Sequence, residues 1–423
     1  MLRSAHTQTM SKSRKKILSV FGTRPEVIKL ASVIAELEAC PQAFRTINVA
    51  SGQHTDLLHP FVRLFGIRLD RNLNIMEEAQ TPSRVCARVL EALEPVLAEE
   101  KPDLILVQGD TTTALAGALA GFYRRIPVGH VEAGMRSGNV SSPFPEEINR
   151  QVIARLATYH FASTPFNQQC LLSEGVPKER IFLTGNPVVD AVQSLLQRVA
   201  PSPAVQRWLS ATEGLNRIVL TTHRRESFGN GLRENLRVLR DFVTRHDDVA
   251  LIFPVHPNPQ VKGPAKATLG GHPRIFLAQP LNYDDFIQLL SHAWLIVSDS
   301  GGVQAEAPSL GKPLLILREN TEMPEVVECG VARLVGGDPA RLEAMLEEVY
   351  ADDHWIREVR QIENPLGHGD SGKMIVDLIA GFLGVSDGAR PSVARELLPQ
   401  PPQRREPDSP LYSDPRRAAR AGD

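Results

Sequence analysis

Short apolar runs of strand length alternate along most of the chain with segments whose apolar residues repeat at helical spacing. Ile17 to Phe21 is the first such run, and the positions from Val27 to Leu37 then follow the helical repeat. The alternation continues through the apolar run at Leu104, breaks at the turn-rich segment Thr184 to Asp190, and restarts at Ile218. Strands that alternate with helices predict parallel sheets, and the break predicts two α/β units.

The ends of the chain lack this pattern. The first residues are polar without periodicity, so the start of the chain is predicted to be mobile. Prolines and arginines dominate after Asp387, so the end is predicted to be disordered. The domain prediction is therefore a mobile tail at 1–14, a first α/β domain at 15–185, a second at 186–370, a helix at 371–386 that folds back onto the first domain, and a disordered tail at 387–423.

Acidic residues follow two consecutive strands of the first unit. Asp110 comes after the strand at Leu104, and Glu132 ends the strand that begins at Val128. The carboxyl ends of parallel strands open onto one crevice, where ligands of such sheets bind. A proline-stiffened loop then presents Glu146 and Glu147 at a helix start. We expect these acids to form the floor of an active site.

A purely structural reading remains open for two of these acids. Asp110 and Glu146 are also typical of helix caps or first-turn residues. Glu132 is different, because a carboxylate between an apolar strand and the glycine turn at Gly134 is expected to be buried only if it is used or paired. The nearby Arg136 is a candidate partner.

Cationic and hydroxyl groups stand at further strand ends. Arg24 precedes a proline at a helix start and suits a phosphate or carboxylate, although an ordinary surface arginine fits equally well. In the second unit His223 and His256 each follow a strand, and two histidines at one sheet edge favour a ligand contact. Arg318 also follows a strand.

The segment from Leu295 to Pro308 reads as a strand, a glycine turn and a short helix. Gly301 and Gly302 carry no side chain that would keep an anion from the N–H groups of the helix start, and Ser300 can donate a hydrogen bond. A tight turn without a ligand is the alternative interpretation. The pattern is typical of a phosphate site.

Composition and charge exclude several classes of protein. The 423 residues carry a formal net charge of -2, which gives no dominant field for nucleic acid or an acidic membrane surface. The four cysteines lie far apart without a C-x-x-C pair, so neither a metal site nor a disulfide framework is predicted. Without a signal-peptide core or an apolar run of about 18 residues, we predict a cytoplasmic protein.

A nicotinamide cofactor is not expected. Gly367 to Gly372 matches G-x-G-x-x-G, but the dinucleotide fingerprint requires a strand that enters its turn. The residues before it, Ile362 to Pro365, form a proline-containing loop instead. We therefore predict that the protein uses no cofactor.

Six motifs in this order resemble the non-hydrolysing UDP-N-acetylglucosamine 2-epimerases, over nearly everything from Ile17 to about Leu383. They are F-G-T-R-P-E at Phe21, G-D-T-T-T at Gly109, H-V-E-A-G at His130, P-E-E-I-N-R at Pro145, T-H-R-R-E at Thr222 and S-D-S-G-G-V-Q at Ser298. The resemblance implies two Rossmann-like domains that face a central cleft, the glycosyltransferase-B arrangement. It also implies an isomerase that interconverts UDP-GlcNAc and UDP-ManNAc for cell-envelope polysaccharide, and a homodimer.

The resemblance also implies roles for individual residues. The positions that match the family's catalytic residues are Asp110, Glu132, Glu146 and His223. Those placed among the contacts to the UDP-sugar are Arg24, Lys29, His256, Ser300, Gly302 and, on the ribose hydroxyls, Glu306. Met323 replaces an arginine that the family usually has, and Arg318 is a candidate to take over that phosphate contact.

Three other readings stay open at the level of sequence. A relative could release N-acetylmannosamine and UDP by hydrolysis, or act on a modified UDP-sugar. A protein that only binds sugar nucleotides is the alternative from another class, and Met323 is the one feature that favours it. The intact acids argue against loss of catalysis.

Overall fold

The structure is a computed structural model of the full chain. It describes residues 14–52, 55–77, 80–224 and 229–385. Apart from residue 14, the predicted tails at 1–14 and 387–423 lie outside the described residues, as does Ser386 at the end of the predicted 371–386 helix segment. The predicted fold class, α/β with two parallel sheets, is confirmed.

The first sheet has seven parallel strands in the order β3-β2-β1-β4-β5-β6-β7. They are β1 (Lys15–Phe21), β2 (Phe44–Ala50), β3 (Arg71–Asn72), β4 (Leu104–Gln108), β5 (Val128–Ala133), β6 (Tyr159–Ala162) and β7 (Ile181–Leu183). Strands β1, β4 and β5 are buried along nearly all of their length because helices cover both sides of the sheet.

The helices of this half are α1 (Arg24–Glu38), α2 (Thr55–Leu64), α3 (Pro82–Glu100), α4 (Thr112–Tyr123), α5 (Glu146–Leu156) and α6 (Pro165–Ser173), with a 3₁₀ turn at Lys178–Arg180. Threonine side chains cap three of them, at Thr81, Thr111 and Thr164. Each accepts a hydrogen bond from a backbone N–H of the first turn, which fixes where the helix begins.

The second sheet has six parallel strands in the order β10-β9-β8-β11-β12-β13. They are β8 (Asn216–Thr221), β9 (Val249–Pro254), β10 (Ile275–Ala278), β11 (Leu295–Ser298), β12 (Leu314–Ile316) and β13 (Ala332–Leu334). Its helices are α7 (Pro187–Arg198), α8 (Pro203–Ala211), α9 (Asn230–Arg245), α10 (Pro259–Leu269), α11 (Tyr283–Ser291), α12 (Gly301–Leu310), α13 (Pro324–Glu328), α14 (Pro339–Ala351) and α15 (His354–Val359).

The last described helix, α16 (Ser371–Phe382), packs against α1 of the first half. Ile375 and Ile379 share a buried core with Leu30 of α1, and the ring of Phe382 stacks on that of Tyr159 at 4.0 Å between centroids. The element that precedes the segment from Gly367 to Gly372 is α15 rather than a strand, so the segment lacks the strand that a dinucleotide fingerprint requires.

The order of each sheet creates a switch point, where chain connections leave in opposite directions. In the first sheet it lies between β1 and β4, and in the second between β8 and β11. Loops at such points diverge and leave a crevice at the carboxyl ends of the strands. The candidate residues at Asp110 and His223 both follow strands that border a switch point.

The described residues were searched for membrane-spanning helices and for metal-binding groups. No helix there is long and apolar enough to cross a membrane. Within the same ranges, no group of three or more His, Cys, Asp or Glu side chains is arranged to hold a metal ion.

Candidate active site

Glu132 lies at an irregularity of β5. Its backbone φ is +62°, and the register between β5 and β6 shifts between Val131 and Ala133. A left-handed conformation in a residue other than glycine is costly and occurs most often at functional sites. The residue is only 6% exposed, as the sequence predicted for this position.

Both carboxylate oxygens of Glu132 accept hydrogen bonds. Lys29 Nζ lies 2.6 Å from each oxygen, Gln108 Nε2 donates to Oε2, and Asn186 Nδ2 donates to Oε1 at 2.8 Å. The prediction of Arg136 as the partner is wrong, because its guanidinium pairs with Glu174 at 2.6 Å. Lys29 reaches Glu132 from α1, an element that is distant in sequence.

Asp110 lies close to the other two predicted acids. Its carboxylate pairs with Arg150 at 2.6 Å, and Asn149 donates to its backbone carbonyl at 2.9 Å. The pKa of Asp110 is raised to about 6. Burial is the largest cause, the charges of Glu132 and Glu146 also raise the pKa, and the cations Arg150 and Lys29 lower it. A carboxyl group with a pKa near neutrality is suited to exchange protons.

The neighbouring glutamates of α5 are used differently. Glu147 is fully buried, accepts a hydrogen bond from Ser137 N at 2.9 Å and lies 3.4 Å from Arg150. Glu146 is half-buried at the first position of α5, and no hydrogen bond or ion pair engages its side chain within the described residues. Glu146 is therefore the acid of this pair that is available to a ligand.

Glu26 is a site residue for which the sequence analysis proposed no role. It accepts hydrogen bonds from Gly22 N at 3.0 Å, Thr23 N at 2.7 Å and Thr111 Oγ1 at 2.8 Å. Burial raises its pKa to about 7. Glu26 thereby connects the loop before Arg24 to the loop that carries Asp110. The capping-box spacing, threonine followed three residues later by glutamate, was the signal in the sequence.

A pocket of about 420 Å³ opens between the two halves. Seven of the predicted ligand residues line it: Arg24, His223, His256, Ser300, Gly301, Gly302 and Glu306. The first half contributes Phe61 as well, whose ring lies 5.8 Å from the guanidinium of Arg24. The N-terminus of α12 faces this pocket, which gives an anion backbone donors and a favourable helix dipole.

His223 is held by an aspartate that was not assigned a role from the sequence. Asp299 is fully buried and accepts hydrogen bonds from the backbone N–H groups of His223 and Arg224 at 3.1 Å. Burial lowers the pKa of His223, although Asp299, whose carboxylate lies 3.6 Å from its Nδ1, acts in the opposite direction. His256 stacks beside it at 5.7 Å between ring centroids.

No hydrogen bond or ion pair joins His223 to Asp110, Glu132 or Glu146 among the described residues. The histidine faces the pocket next to Arg24, whose charge contributes to lowering its pKa. The predicted catalytic set is thus divided between an acidic cluster in the first half and a histidine on the pocket wall of the second.

Glu306 combines burial with an unused acceptor. Tyr283 donates its hydroxyl to Oε1 at 2.9 Å, while the buried Oε2 has no hydrogen-bond partner among the described residues. Burial raises the pKa of Glu306 to about 7, and the charge of Lys29 acts against this shift. Lys29 therefore lies within electrostatic range of both the acidic cluster and the pocket.

Two predicted ligand residues do not line the pocket. Lys29 is engaged by Glu132, as described above, and Arg318 is buried, with its guanidinium 3.5 Å from Glu322. Met323 is only 8% exposed and belongs to the apolar core of the second half. The carboxylate of Glu322 also lies 3.6 Å from the Arg150 guanidinium, so Glu322 connects Arg318 to Arg150.

A family model described as UDP-N-acetylglucosamine 2-epimerase matches residues 36–380 of this sequence. The chain belongs to that family. It is 44% identical over 369 residues to the UDP-N-acetylglucosamine 2-epimerase of Escherichia coli (strain K12), which covers 86% of this chain and 98% of the relative. Membership in the epimerase family confirms the resemblance read from the six motifs.

Solved structures of the 2-epimerase family share the fold. The crystal structure of UDP-GlcNAc 2-epimerase from Neisseria meningitidis bound to UDP-GlcNAc matches with a TM-score of 0.81 and 37% identity, covering 86% of this chain and 100% of that chain. The structure from Methanocaldococcus jannaschii in complex with UDP-GlcNAc and UDP matches with a TM-score of 0.72 and 34% identity, covering 86% of this chain and 99% of that chain.

Proposed function

We propose that this protein is an isomerase that interconverts UDP-GlcNAc and UDP-ManNAc by eliminating UDP and adding it back, without a cofactor. The observation that supports it best is the convergence of Asp110, Glu132 and Glu146 from three separate elements next to a nucleotide-sized pocket. Cytoplasmic supply of UDP-ManNAc for cell-envelope polysaccharide is the matching role. All four cysteines lack a disulfide, which is typical of a reducing compartment.

The chemistry explains why several acids are needed. The hydrogen on carbon 2 of the sugar is not acidic, so a base removes it as the bond from carbon 1 to UDP breaks, which leaves a 2-acetamidoglucal. Inversion requires that the returning proton comes from the opposite face. Asp110 and Glu146 have the properties of proton carriers, since one has a pKa near 6 and the other has no bound partner among the described residues.

UDP would occupy the pocket between the halves. The N-terminus of α12 at Ser300 to Gly302, with Arg24 and His256, offers N–H and cationic groups to the pyrophosphate. Glu306 Oε2 offers a buried acceptor that suits the ribose hydroxyls. The pyrophosphate is both held and released here, so these donors stabilise the UDP leaving group.

The test is proton NMR of nucleotide-stripped protein with UDP-GlcNAc in deuterated buffer, without added NAD. We expect UDP-ManNAc that carries deuterium at carbon 2 from the earliest time points. Product unlabelled at carbon 2, or turnover only after NAD is added, would contradict the elimination route. Release of free N-acetylmannosamine would identify a hydrolysing enzyme, and UDP binding without turnover a binding protein.

We also propose a homodimer that associates through α4 and α5. These helices pack side by side, and both carry exposed apolar side chains: Phe122 and Tyr123 on α4, and Ile148 and Val152 on α5. Ile148 and Val152 are four residues apart, so they share one face of α5. Exposed apolar residues grouped in this way are typical of association surfaces.

We expect Val152→Asp to convert the dimer to a monomer in sedimentation or light-scattering measurements, because it places a charge in an apolar contact. Phe166→Asp is the matched control, since Phe166 is similarly exposed but lies on α6. A wild-type protein that is monomeric, or a Val152→Asp variant that still dimerises, would contradict this surface.

A further inference from the structure

The chain crosses between the two halves at two adjoining segments. One runs from Thr184 to α7, and the other precedes α16. A Cβ at Gly185 would lie 3.1 Å from Leu366 O, and a Cβ at Gly367 would lie 3.1 Å from Gly185 Cα. Both glycines have positive φ values, +74° and +115°. The two crossing segments therefore touch backbone to backbone.

Asn186 lies in the first crossing segment and connects it to three neighbours. Its backbone N donates to Leu366 O at 2.7 Å, and its Oδ1 accepts from Val188 N at 3.1 Å as the cap of α7. Its Nδ2 donates to Glu132 Oε1 at 2.8 Å. The residue is 1% exposed, so it is fixed on every side.

We propose that Asn186 is a positioning residue, which orients the carboxylate of Glu132 from the segment that joins the two halves. The proposal rests on the proposed function, in which Glu132 is one of the three converging acids. Lys29 Nζ lies at the same distance, 2.6 Å, from both oxygens of Glu132, so this ion pair neutralises the carboxylate without distinguishing its two oxygens. An ammonium acts as a point charge, whereas amide N–H bonds are directional.

The two amides complete the orientation. Gln108 donates to Oε2 from β4, and Asn186 donates to Oε1 from the crossing segment. Each oxygen thus has its own directional donor. One of the two comes from the first sheet and the other from the junction, so the plane of the carboxylate depends on how the halves meet.

Charged groups near Glu132 determine what a substitution would do. Lys29 on α1 contacts the Glu132 carboxylate, and Asp110, which follows β4, lies within electrostatic range of it. The other two groups that contact this carboxylate, Gln108 and Asn186, are neutral. Asn186→Asp keeps a side-chain oxygen that can cap α7 but removes the donor to Glu132. It also places a second carboxylate within hydrogen-bond distance, and two such groups share a proton.

We expect Asn186→Asp to lower kcat by roughly 10- to 100-fold, the scale of a misplaced catalytic group. The KM for UDP-GlcNAc and the calorimetric affinity for UDP should change less than twofold, because Asn186 does not line the nucleotide pocket. The optimum of the kcat profile should move to a different pH, since the added carboxylate shares a proton with Glu132.

Asn364→Asp is the matched control. Asn364 lies in the other crossing segment, its Oδ1 accepts from Leu366 N at 3.0 Å, and its Nδ2 donates to Ser309 Oγ at 3.0 Å rather than to a catalytic acid. Its kcat and pH profile should match the wild type. An equal loss in the control, or a loss of UDP affinity in Asn186→Asp, would overturn the positioning role.

Thermal unfolding tests the same contact without activity. Relative to wild type, the Tm of Asn186→Asp should fall as pH rises from 5 to 8, because a paired carboxyl with a raised folded pKa stabilises only while it is protonated. Adding Glu132→Gln should remove this pH dependence. If it persists unchanged, or never appears, the inferred contact is wrong.

Failure of the proposed function and failure of the positioning role give different results. A wild-type protein that does not epimerise would refute the proposed function, whereas the Tm coupling between positions 186 and 132 would still report the contact. If Asn186→Asp does not fold, Asn186→Ser keeps a capping oxygen and lacks the amide donor. It should then show the loss of kcat without the shift in pH optimum, and wild-type kcat in Asn186→Ser would overturn the proposal.

Discussion

Replacing Asp110 with asparagine is expected to lower kcat by roughly 10²- to 10⁴-fold, the usual contribution of general acid–base catalysis. The amide keeps the shape of the carboxylate but cannot take up a proton. Glu132→Gln and Glu146→Gln should lose turnover on the same scale, with folding retained in circular dichroism. Near-normal turnover in all three variants would show that the acidic cluster is not the catalytic centre.

The dependence of kcat/KM on pH is a second measurement on the Asp110→Asn variant. With its pKa raised to about 6, Asp110 is ionised at pH 7 and above, so kcat/KM should rise through about pH 6 and reach a plateau. This limb should be absent in Asp110→Asn. Glu174→Gln serves as the control, because Glu174 pairs with Arg136 and is not part of the cluster.

Replacing Lys29 with methionine is expected to destabilise the protein by about 3–5 kcal/mol at pH 8, because it leaves the carboxylate of Glu132 buried without its cation. Only 14% and 5% of the two side chains are exposed. The free energy of unfolding from urea titration is the measurement. Turnover should also be lost, since the variant protein holds an uncompensated charge in its active site.

The deficit of Lys29→Met should shrink as pH falls. An unpaired buried carboxyl has a raised pKa in the folded state, so it is tolerated when protonated and destabilises as pH rises. Lys15→Met is the control, since the Lys15–Asp103 pair is about one-third exposed on each side and should contribute less than about 1 kcal/mol. Equal losses in both variants at pH 8 would contradict the burial argument.

The sequence predicted the elements that carry their own pattern. Apolar runs located the first residues of β4, β5 and β11 and placed the start of β1 two residues late, because strands buried on both faces read as continuous apolar runs. The two-residue strand β3, Arg71–Asn72, could not be predicted. It is polar and joins the sheet only through backbone pairing with β2.

Candidate site residues were predictable where strand ends deliver them, as for Asp110, Glu132 and His223. The residues that pair with them could not be predicted. Lys29 lies 103 residues from Glu132 in sequence, and Asn186 lies in the other predicted domain, so no local spacing links them. Arg136 was the nearest cation in sequence, but Glu174 neutralises it. Pairing between distant elements is set by the tertiary fold, which a single sequence does not display.

The two sheets share one topology, because the order β10-β9-β8-β11-β12-β13 has the same connectivity as the order β3-β2-β1-β4-β5-β6 of the other sheet. Asp110 follows β4 in sequence and Asp299 follows β11, so the two residues occupy corresponding positions in the two sheets. Asp299 is buried and satisfied by backbone donors, whereas Asp110 retains 26% side-chain exposure and a pKa near 6. The same position in the two sheets thus holds a carboxylate fixed by backbone donors in one half and, in the other, a partly exposed carboxyl group with a raised pKa, as the proposed proton transfer requires.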